Sequence, residues 1–589
     1  MCGIIGYQGS GQVIDELIEG LRRMEYRGYD SWGVAVLTPR GMFIEKKVGA
    51  ISESKLSHLS TDSFLGIAHT RWATHGGVTE TNAHPHQSID GRFVVAQNGI
   101  VENYLNLKAT LKRQGYKFKT STDTEVIVHL IHAKLKKTKT FPEAVRQSFL
   151  ELTGRNTIIV LDNQTQQMVA IRNGSPLVLG HLPKKGVLLA SDTLPLAGKV
   201  KTITYLNDQQ MVVFKDKVSL FDVKTGKQLK FKRQKLDLVK QKVDKAGFKH
   251  FMLKEIIEQQ YTIKEAASYS ERELLPLIKA TKRSRAVYVI GAGTAAFAAG
   301  QIARYLRVIS KLSVQELKSY EIDSFLPIMS ARDLLIVVSQ SGETADTLEA
   351  VNKARERGVV IASIVNMIGS TLSRNSKYSY LSRSGPEICV ASTKAYTAQT
   401  TWGYLLAMTI VGKYQQAQTQ INRVSGQLAS YFNDKIFRSL KKLAKELIKN
   451  EHFFIIGKDQ HFYTAQEGAL KIKEITYKHF EGFSAGELKH GVIALIDTGT
   501  PVFGIVGDDQ YQADVLSALA EVKARGARVI GISAESNEFF DIHVPAIDGN
   551  DLDPITKIIP FQLLSYFLGV QLGNDPDKPR NLAKSVTVK

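Results

Sequence analysis

Cysteine is almost absent: Cys2 and Cys389 are the only two in 589 residues. No disulfide framework can staple such a chain, and a reducing compartment is the expectation. Long hydrophobic runs are missing as well. No stretch reaches the ~18 apolar residues that a membrane span requires. The longest candidate, around Tyr404 to Val411, has polar flanks and reads as a buried helix. The N-terminus, MCGIIGYQGS, lacks the basic region and apolar stretch of a secretory signal. These absences predict a cytoplasmic protein with no membrane partner. Acidic residues are outnumbered, 57 against 77 basic, for a formal charge of +20. The lysines are scattered, with short runs such as Lys134 to Lys139 and Lys230 to Lys242. There is no helix-turn-helix, zinc knuckle or aromatic RNA-binding signature. The charge therefore predicts a solvated basic surface that attracts anionic substrates, and no nucleic-acid partner.

What is present is ample core, with 43% hydrophobic residues, and a length that suggests two to four domains. Up to about residue 235, short strand-like runs (Gly3 to Tyr7, Gly33 to Leu37, Phe93 to Ala96, Thr157 to Leu161, Met211 to Phe214) alternate with a few helices. Val13, Leu17, Leu21 and Met24 have helical spacing, as do Val126, Ile127, Leu130 and Ile131. This predicts an α+β sandwich of sheets flanked by helices. The segment from Lys230 to Lys249 is charged and poor in core residues, and marks a boundary.

Beyond about residue 250 the order becomes strand, helix, strand, helix, the pattern of a doubly wound parallel sheet. The pattern recurs: Ala345, Leu348 and Gly358 reappear as Ala513, Leu516 and Gly526, each 168 residues on. Two tandem α/β repeats are expected, split near an amphipathic helix at Ile436 to Ile448. The expected domains are 1–235, a charged linker 236–250, repeats at 251–430 and 431–573, and a tail at 574–589.

Cys2 directly follows the initiator methionine. Removal of that methionine would leave the thiol beside a free α-amino group, whose reference pKa of about 7.7–8.0 suits a general base. By itself a lone cysteine reads more simply as a small residue at a strand start. Its company changes that: CGIIGY, YRGYDSWG (Tyr26 to Gly33), HTRWATHG (His69 to Gly76), NAHPH (Asn82 to His86), QNGIVEN (Gln97 to Asn103) and STDTE (Ser121 to Glu125). This set closely resembles class II glutamine amidotransferases, which are N-terminal nucleophile hydrolases, over essentially the whole first domain. Such chemistry needs a thiol nucleophile, oxyanion donors and partners for the two charged ends of glutamine. Asn98 and Gly99, expected in a tight turn after a strand, can serve the oxyanion, Arg71 the α-carboxylate and Asp123 the α-ammonium. The resemblance further implies that Thr74 and His75 help hold glutamine and that Trp72 covers the site. His69, His75, His84 and His86 lack the spacing of zinc ligands, so local hydrogen bonding, and no metal, is expected of them. One departure stands out: Gln97 occupies the position before Asn-Gly where the glucosamine-forming subfamily usually has histidine.

GAGTAAFAAG (Gly291 to Gly300) fits a loose G-x-G-x-x-A dinucleotide pattern, with Glu316 about 20 residues on, so a nicotinamide enzyme is the rival on pattern alone. The next strand runs into SQSGETADT, placing Ser339, Gln340, Ser341 and Thr344 on a turn at a helix N-terminus. Hydroxyls and unpaired N–H groups there suit a single phosphate. The sequence resembles the sugar isomerase (SIS) family, in which Thr294 from the first loop would complete the cradle. Ala292 and Ala295 stand where cysteine and serine are usual. At the corresponding place the second repeat has Gly507, Asp508, Asp509 and Gln510, whose carboxylates would repel phosphate.

EGALKIKEITYKHFEGFSAGELKHG (Glu467 to Gly491) puts Lys471 and Glu474 three apart on one helix face. That string and the tail DKPRNLAKSVTVK look like the isomerase domain of the glucosamine 6-phosphate synthase family. The resemblance implies L-glutamine and fructose 6-phosphate as substrates and no cofactor. It implies Lys584 at the C2 carbonyl, Glu474 moving the proton between C1 and C2, Lys471 near O2, and a backbone contact from Val390. His490 would open the sugar ring of the neighbouring protomer, so a homodimer with a shared active site is expected. The departures leave one alternative: an uncoupled isomerase, deglycase or regulatory binding protein of the same architecture.

Overall fold

The computed structural model describes residues 2–9, 13–53, 63–182, 186–236 and 244–587. Residues 237–243 of the expected linker and the initiator Met1 lie outside the described residues. The chain divides into two compact units, one of Met1–Val243 with Ser585–Lys589, the other of Asp244–Lys584.

In the first unit two antiparallel sheets, of eight and seven strands, face each other. Strand Gly3–Gln8 lies between Leu65–Arg71 and Val187–Ala190 in the larger sheet. Strand Phe93–Gly99 pairs with Asn156–Asp162 in the smaller. The period-2 alternation of strand side chains sorts these residues between layers. Ile4, Ile67, Val94, Ala96, Ile159 and Leu161 meet in the core between the sheets. Their neighbours turn outward: Ile5, Ala68 and Val34 pack against the helix Val13–Arg23. On the other side Phe93, Val95, Ile158 and Val160 pack against helices Glu125–Leu135 and Phe141–Leu150. The result is the helix-flanked sandwich expected. Because both faces of each sheet are covered, strands such as Asn156–Asp162 are buried at every position.

The second unit contains two five-stranded parallel sheets of identical topology. In the first the order across the sheet is Val314–Lys318, Val287–Gly291, Leu334–Ser339, Val360–Val365, Tyr378–Leu381. In the second it is His479–Ser484, His452–Gly457, Pro501–Ile505, Arg528–Ser533, Ile542–Pro545. The strand order is thus 2-1-3-4-5 in both, with its switch point between the first and third strands, where open parallel sheets bind ligands. The helix Lys394–Ile410 is buried along almost its whole length, as its apolar run predicts. Helix Thr294–Val308 packs on helix Gln460–Thr476 through Gly300, where an added Cβ would lie 2.4 Å from the Tyr463 ring. Among the described residues no helix is long and apolar enough to cross a membrane.

Candidate functional site

In the first unit, the packing of one sheet on the other brings Cys2 and Asn98 to one spot. The Cys2 thiol donates to the Trp72 carbonyl at 3.6 Å and accepts from the Trp72 N–H at 3.3 Å. Asn98 Nδ2 donates to the Cys2 carbonyl at 3.0 Å. Burial pushes the Cys2 thiol up, so a nearby base is needed to form the thiolate. Asn98 and Gly99 are the last two residues of the strand Phe93–Gly99 and not a separate turn, because the ladder to Thr157 and Asn156 runs to its end. Gly99 has φ +129°, and a Cβ there would lie 1.9 Å from the Arg155 carbonyl oxygen. Only glycine fits.

Arg71 is buried, and its guanidinium donates to the carbonyls of Gly77 at 3.1 Å, His75 at 2.5 Å and Gly76 at 3.1 Å. It therefore shapes the loop that carries exposed Thr74 and half-buried Trp72 and His75. Asp123 Oδ2 accepts the Val101 N–H at 2.8 Å, and burial raises its carboxyl. Asp30, given no role by sequence reasoning, accepts the Ala73 N–H at 2.7 Å and so fixes the backbone next to the thiol's partner.

His69, His84 and His86 are buried hydrogen-bonding groups. His69 Nε2 faces the Gln97 carbonyl at 2.9 Å and Asn98 Oδ1 at 3.1 Å, two acceptors, so it carries the ring hydrogen. His84 Nδ1 accepts the Gln97 N–H at 3.3 Å, and its Nε2 meets Thr124 Oγ1 at 3.2 Å. Burial pushes His69 down to about 3 and His84 and His86 well below the usual histidine range, so all three are neutral. Gln97 is woven into this network. Its Oε1 accepts from Thr124 Oγ1 at 2.5 Å, and its Nε2 donates to Asn156 Oδ1 at 2.6 Å.

In the second unit the loops after the first and third strands of the first sheet lie at its switch point. Thr294 opens a helix and donates to Glu467 Oε1 at 3.3 Å. Ser339 ends its strand and accepts the Gly342 N–H at 3.0 Å; Ser341 accepts the Glu343 N–H at 3.1 Å. Gln340 and Thr344 are half-buried, and Thr344 is the N-cap of the helix Ala345–Glu356 without a side-chain cap bond. These hydroxyls stand on the turn that leads into the first-turn amides of that helix, donors of the kind an anion site uses.

Helix Gln460–Thr476 places Glu467, Lys471 and Glu474 on one face. Lys471 is fully buried, its Nζ 2.5 Å from Glu474 Oε2 and 3.6 Å from Glu467 Oε1. Burial opposes the Lys471 ammonium, yet Glu467 and Glu474 outweigh it and raise the group. Burial lifts Glu467 to about 8. Lys584 donates to Glu387 Oε2 at 2.5 Å and to Ser392 Oγ at 3.2 Å. The Glu387 charge also reaches Lys471, which brings the tail lysine and the helix pair into one electrostatic neighbourhood. Val390 is buried, and its N–H donates to the Asp577 carbonyl at 3.1 Å. His490 stands exposed on a short 3-10 turn, with no hydrogen bond from its ring among the described residues to Lys471, Glu474 or Lys584. Sequence reasoning missed Glu387 and Glu467. The signal for Glu467 was present in its i, i+4 spacing from Lys471; Glu387 had none.

Residues 69–197 match the Glutamine amidotransferase domain family, and residues 282–409 and 446–568 match the SIS domain family. Across its full length the chain is 40% identical to the curated glutamine–fructose-6-phosphate aminotransferase (isomerising) of Pyrococcus horikoshii, covering 100% of both chains. It is 37% identical to the protein of that name from Thermus thermophilus, again over 100% of both. Among solved structures, the C-terminal domain of glucosamine-fructose-6-phosphate aminotransferase from Francisella tularensis aligns with a TM-score of 0.51 and 31% identity, covering 57% of this chain and 100% of that one. By its two kinds of domain and its full-length relatives, the chain belongs to the glutamine–fructose-6-phosphate aminotransferase (isomerising) family.

Proposed function

We propose that the chain transfers the amide nitrogen of L-glutamine to D-fructose 6-phosphate and isomerises the product, giving D-glucosamine 6-phosphate and L-glutamate in the cytoplasm. The observation that carries this reading is the pairing of two buried lysines with carboxylates, Lys471 with Glu474 and Lys584 with Glu387, beside the hydroxyl-lined switch point.

In the glutaminase half, the Cys2 thiol, freed of the initiator methionine, loses its proton to the adjacent α-amine and adds to the glutamine amide carbon. Asn98 Nδ2 and the Gly99 N–H receive the oxyanion, ammonia leaves, and water hydrolyses the thioester to glutamate. Arg71 takes the α-carboxylate, Asp123 the α-ammonium, and Thr74, His75 and Trp72 close over the substrate. In the isomerase half, Thr294, Ser339, Gln340, Ser341 and Thr344 hold the phosphate, and the Val390 backbone contacts the sugar. Lys584 forms an imine at C2 with loss of water, and ammonia displaces the lysine. Glu474 then removes a proton from C1 and delivers it to C2, which turns the ketimine into an amino aldose. Lys471, held as an ammonium beside Glu474 and Glu467, donates near O2. His490 serves ring opening in a second copy, and its exposure supports a homodimer.

The test is a coupled assay: glutamate release with and without fructose 6-phosphate, with the sugar product identified by mass spectrometry. Release of glutamate with no amino sugar formed at any hexose phosphate concentration overturns the reading in favour of an uncoupled protein.

A further inference from the structure

Lys584 lies near the end of a tail, and the structure shows how that tail is held. Asp577 caps the helix Phe251–Ala266: its Oδ2 accepts the Phe251 N–H and its Oδ1 the Met252 N–H, each at 2.8 Å. The Asp577 carbonyl takes the Val390 N–H at 3.1 Å, and the Cys389 thiol donates to the Pro576 carbonyl at 3.2 Å. One turn into the same helix, Glu255 reaches the same short segment. Its Oε1 accepts the N–H of Ile388 at 2.5 Å and of Cys389 at 3.4 Å. Immediately before that segment stands Glu387, whose Oε1 takes the N–H groups of Thr393 at 2.9 Å and Ala395 at 3.0 Å while its Oε2 carries Lys584.

The charges around Glu255 do not balance in its favour. It is 1% exposed, and its Oε2 has no hydrogen-bond partner among the described residues. The ionisable groups facing it are Glu387 and the Cys389 thiol from the segment, Lys394 from the following helix, and Lys584 from the tail. Lys394 is already paired with Glu258 of Glu255's own helix at 2.7 Å, and Lys584 with Glu387. Burial and the Glu387 charge lift Glu255 to about 8. A buried acid without an ion partner opposes folding, so stability alone does not account for it. Its geometry does something more specific: it ties the amides next to Glu387 to the helix that anchors the lysine-bearing tail.

We propose that Glu255 is a positioning residue for Lys584: by holding the Ile388 and Cys389 amides it fixes the segment whose Glu387 carboxylate carries the lysine amine. That sets where the amine meets the carbonyl carbon of the open-chain sugar phosphate. The inference rests on the reading of Lys584 as the amine that engages C2, and one experiment separates the two.

The full-length chain is incubated with fructose 6-phosphate and sodium borohydride, which reduces an imine to a stable secondary amine, and the labelled peptide is found by mass spectrometry. Absence of label on Lys584 in the unsubstituted protein defeats the reading of Lys584, and with it this inference. Given that label, Glu255→Ala is expected to slow both labelling and synthase kcat at least tenfold. KM for fructose 6-phosphate should stay within threefold, and glutamine hydrolysis should be unchanged. Glu255→Gln retains an acceptor oxygen for Ile388 and should restore both rates to within threefold. Unchanged labelling in folded Glu255→Ala, or a Glu255→Gln as slow as Glu255→Ala, overturns the inference. Should Glu255→Ala not fold, Glu255→Asp, which withdraws the carboxylate by one methylene, decides: slowed labelling supports positioning, and labelling at the unsubstituted rate overturns it.

Discussion

Lys471 Nζ donates to Glu474 Oε2 at 2.5 Å, a contact between residues three apart on one helix, the lysine buried and the glutamate half-buried. An exposed pair of this spacing stabilises a helix by a few tenths of a kcal/mol at most. Here the lysine is fully buried and faces a second carboxylate, Glu467, so the cluster is a built site and not a solvated helix face.

Glu474→Gln keeps the shape of the side chain and removes the proton acceptor. Synthase kcat should fall by roughly 10²–10⁴, the usual contribution of a positioned acid or base. Glutamine hydrolysis, measured as glutamate release, should persist. Normal amino-sugar production by this variant would remove Glu474 from the proton transfer.

Cys2→Ala should abolish glutamine hydrolysis and leave ketose–aldose interconversion of the sugar phosphate intact, because the two chemistries use residues of separate units. Loss of both activities in a folded protein, checked by circular dichroism, would contradict that separation.

Ala295 is the second residue of the helix that Thr294 opens, where the family commonly supplies a hydroxyl. A hydrogen bond to a charged group contributes about 1.5–3 kcal/mol, and each 1.4 kcal/mol is about tenfold in affinity. Ala295→Ser should tighten fructose 6-phosphate about tenfold by calorimetric titration and leave glutamine affinity unchanged. No change would mean that side chain 295 does not face the phosphate.

Gln97→Ala leaves the Thr124 hydroxyl without its acceptor and the Asn156 carbonyl without its donor, both buried. An unsatisfied buried group costs about 1–3 kcal/mol, so thermal melting of the first unit should shift down by several degrees. Because Asn98 directly follows Gln97 on the same strand, glutamine hydrolysis should also slow. An unshifted melt would show that the network is dispensable.

The neutral histidines make the first unit sensitive to acid. His69 titrates at about 3 when folded against about 6.5 unfolded. Below pH 6.5 the unfolded chain therefore takes up a proton that the folded chain refuses. The corresponding stability is complete above pH 6.5 and is lost as pH falls toward 3. By linkage His69 alone costs about 2 kcal/mol at pH 5, and His84 and His86 act in the same direction. Melting followed from pH 7.5 to 4.5 should show a steep decline beginning near 6.5. A flat profile would require these rings to be charged in the fold.

The sequence by itself determined the sandwich and the tandem parallel sheets, and it singled out most of the candidate residues. Those features are local: a period of 2 or 3.6, a hydroxyl-rich turn after a strand, a thiol beside the chain start. Asn98 was legible as a residue type, but its place at the end of a paired strand depended on Asn156–Asp162 across the ladder. The departure at Gln97 was visible, yet what replaces the missing ring was not, since Asn156 is 59 residues away. Glu387 meets Lys584 across 197 residues, and Glu255 meets Ile388 across 133. Neither carboxylate sits in a segment whose spacing sets it apart from a surface acid. Only the tertiary structure decided that these acids are buried and which cation or amide each one faces, because burial and partner both come from segments remote in the chain.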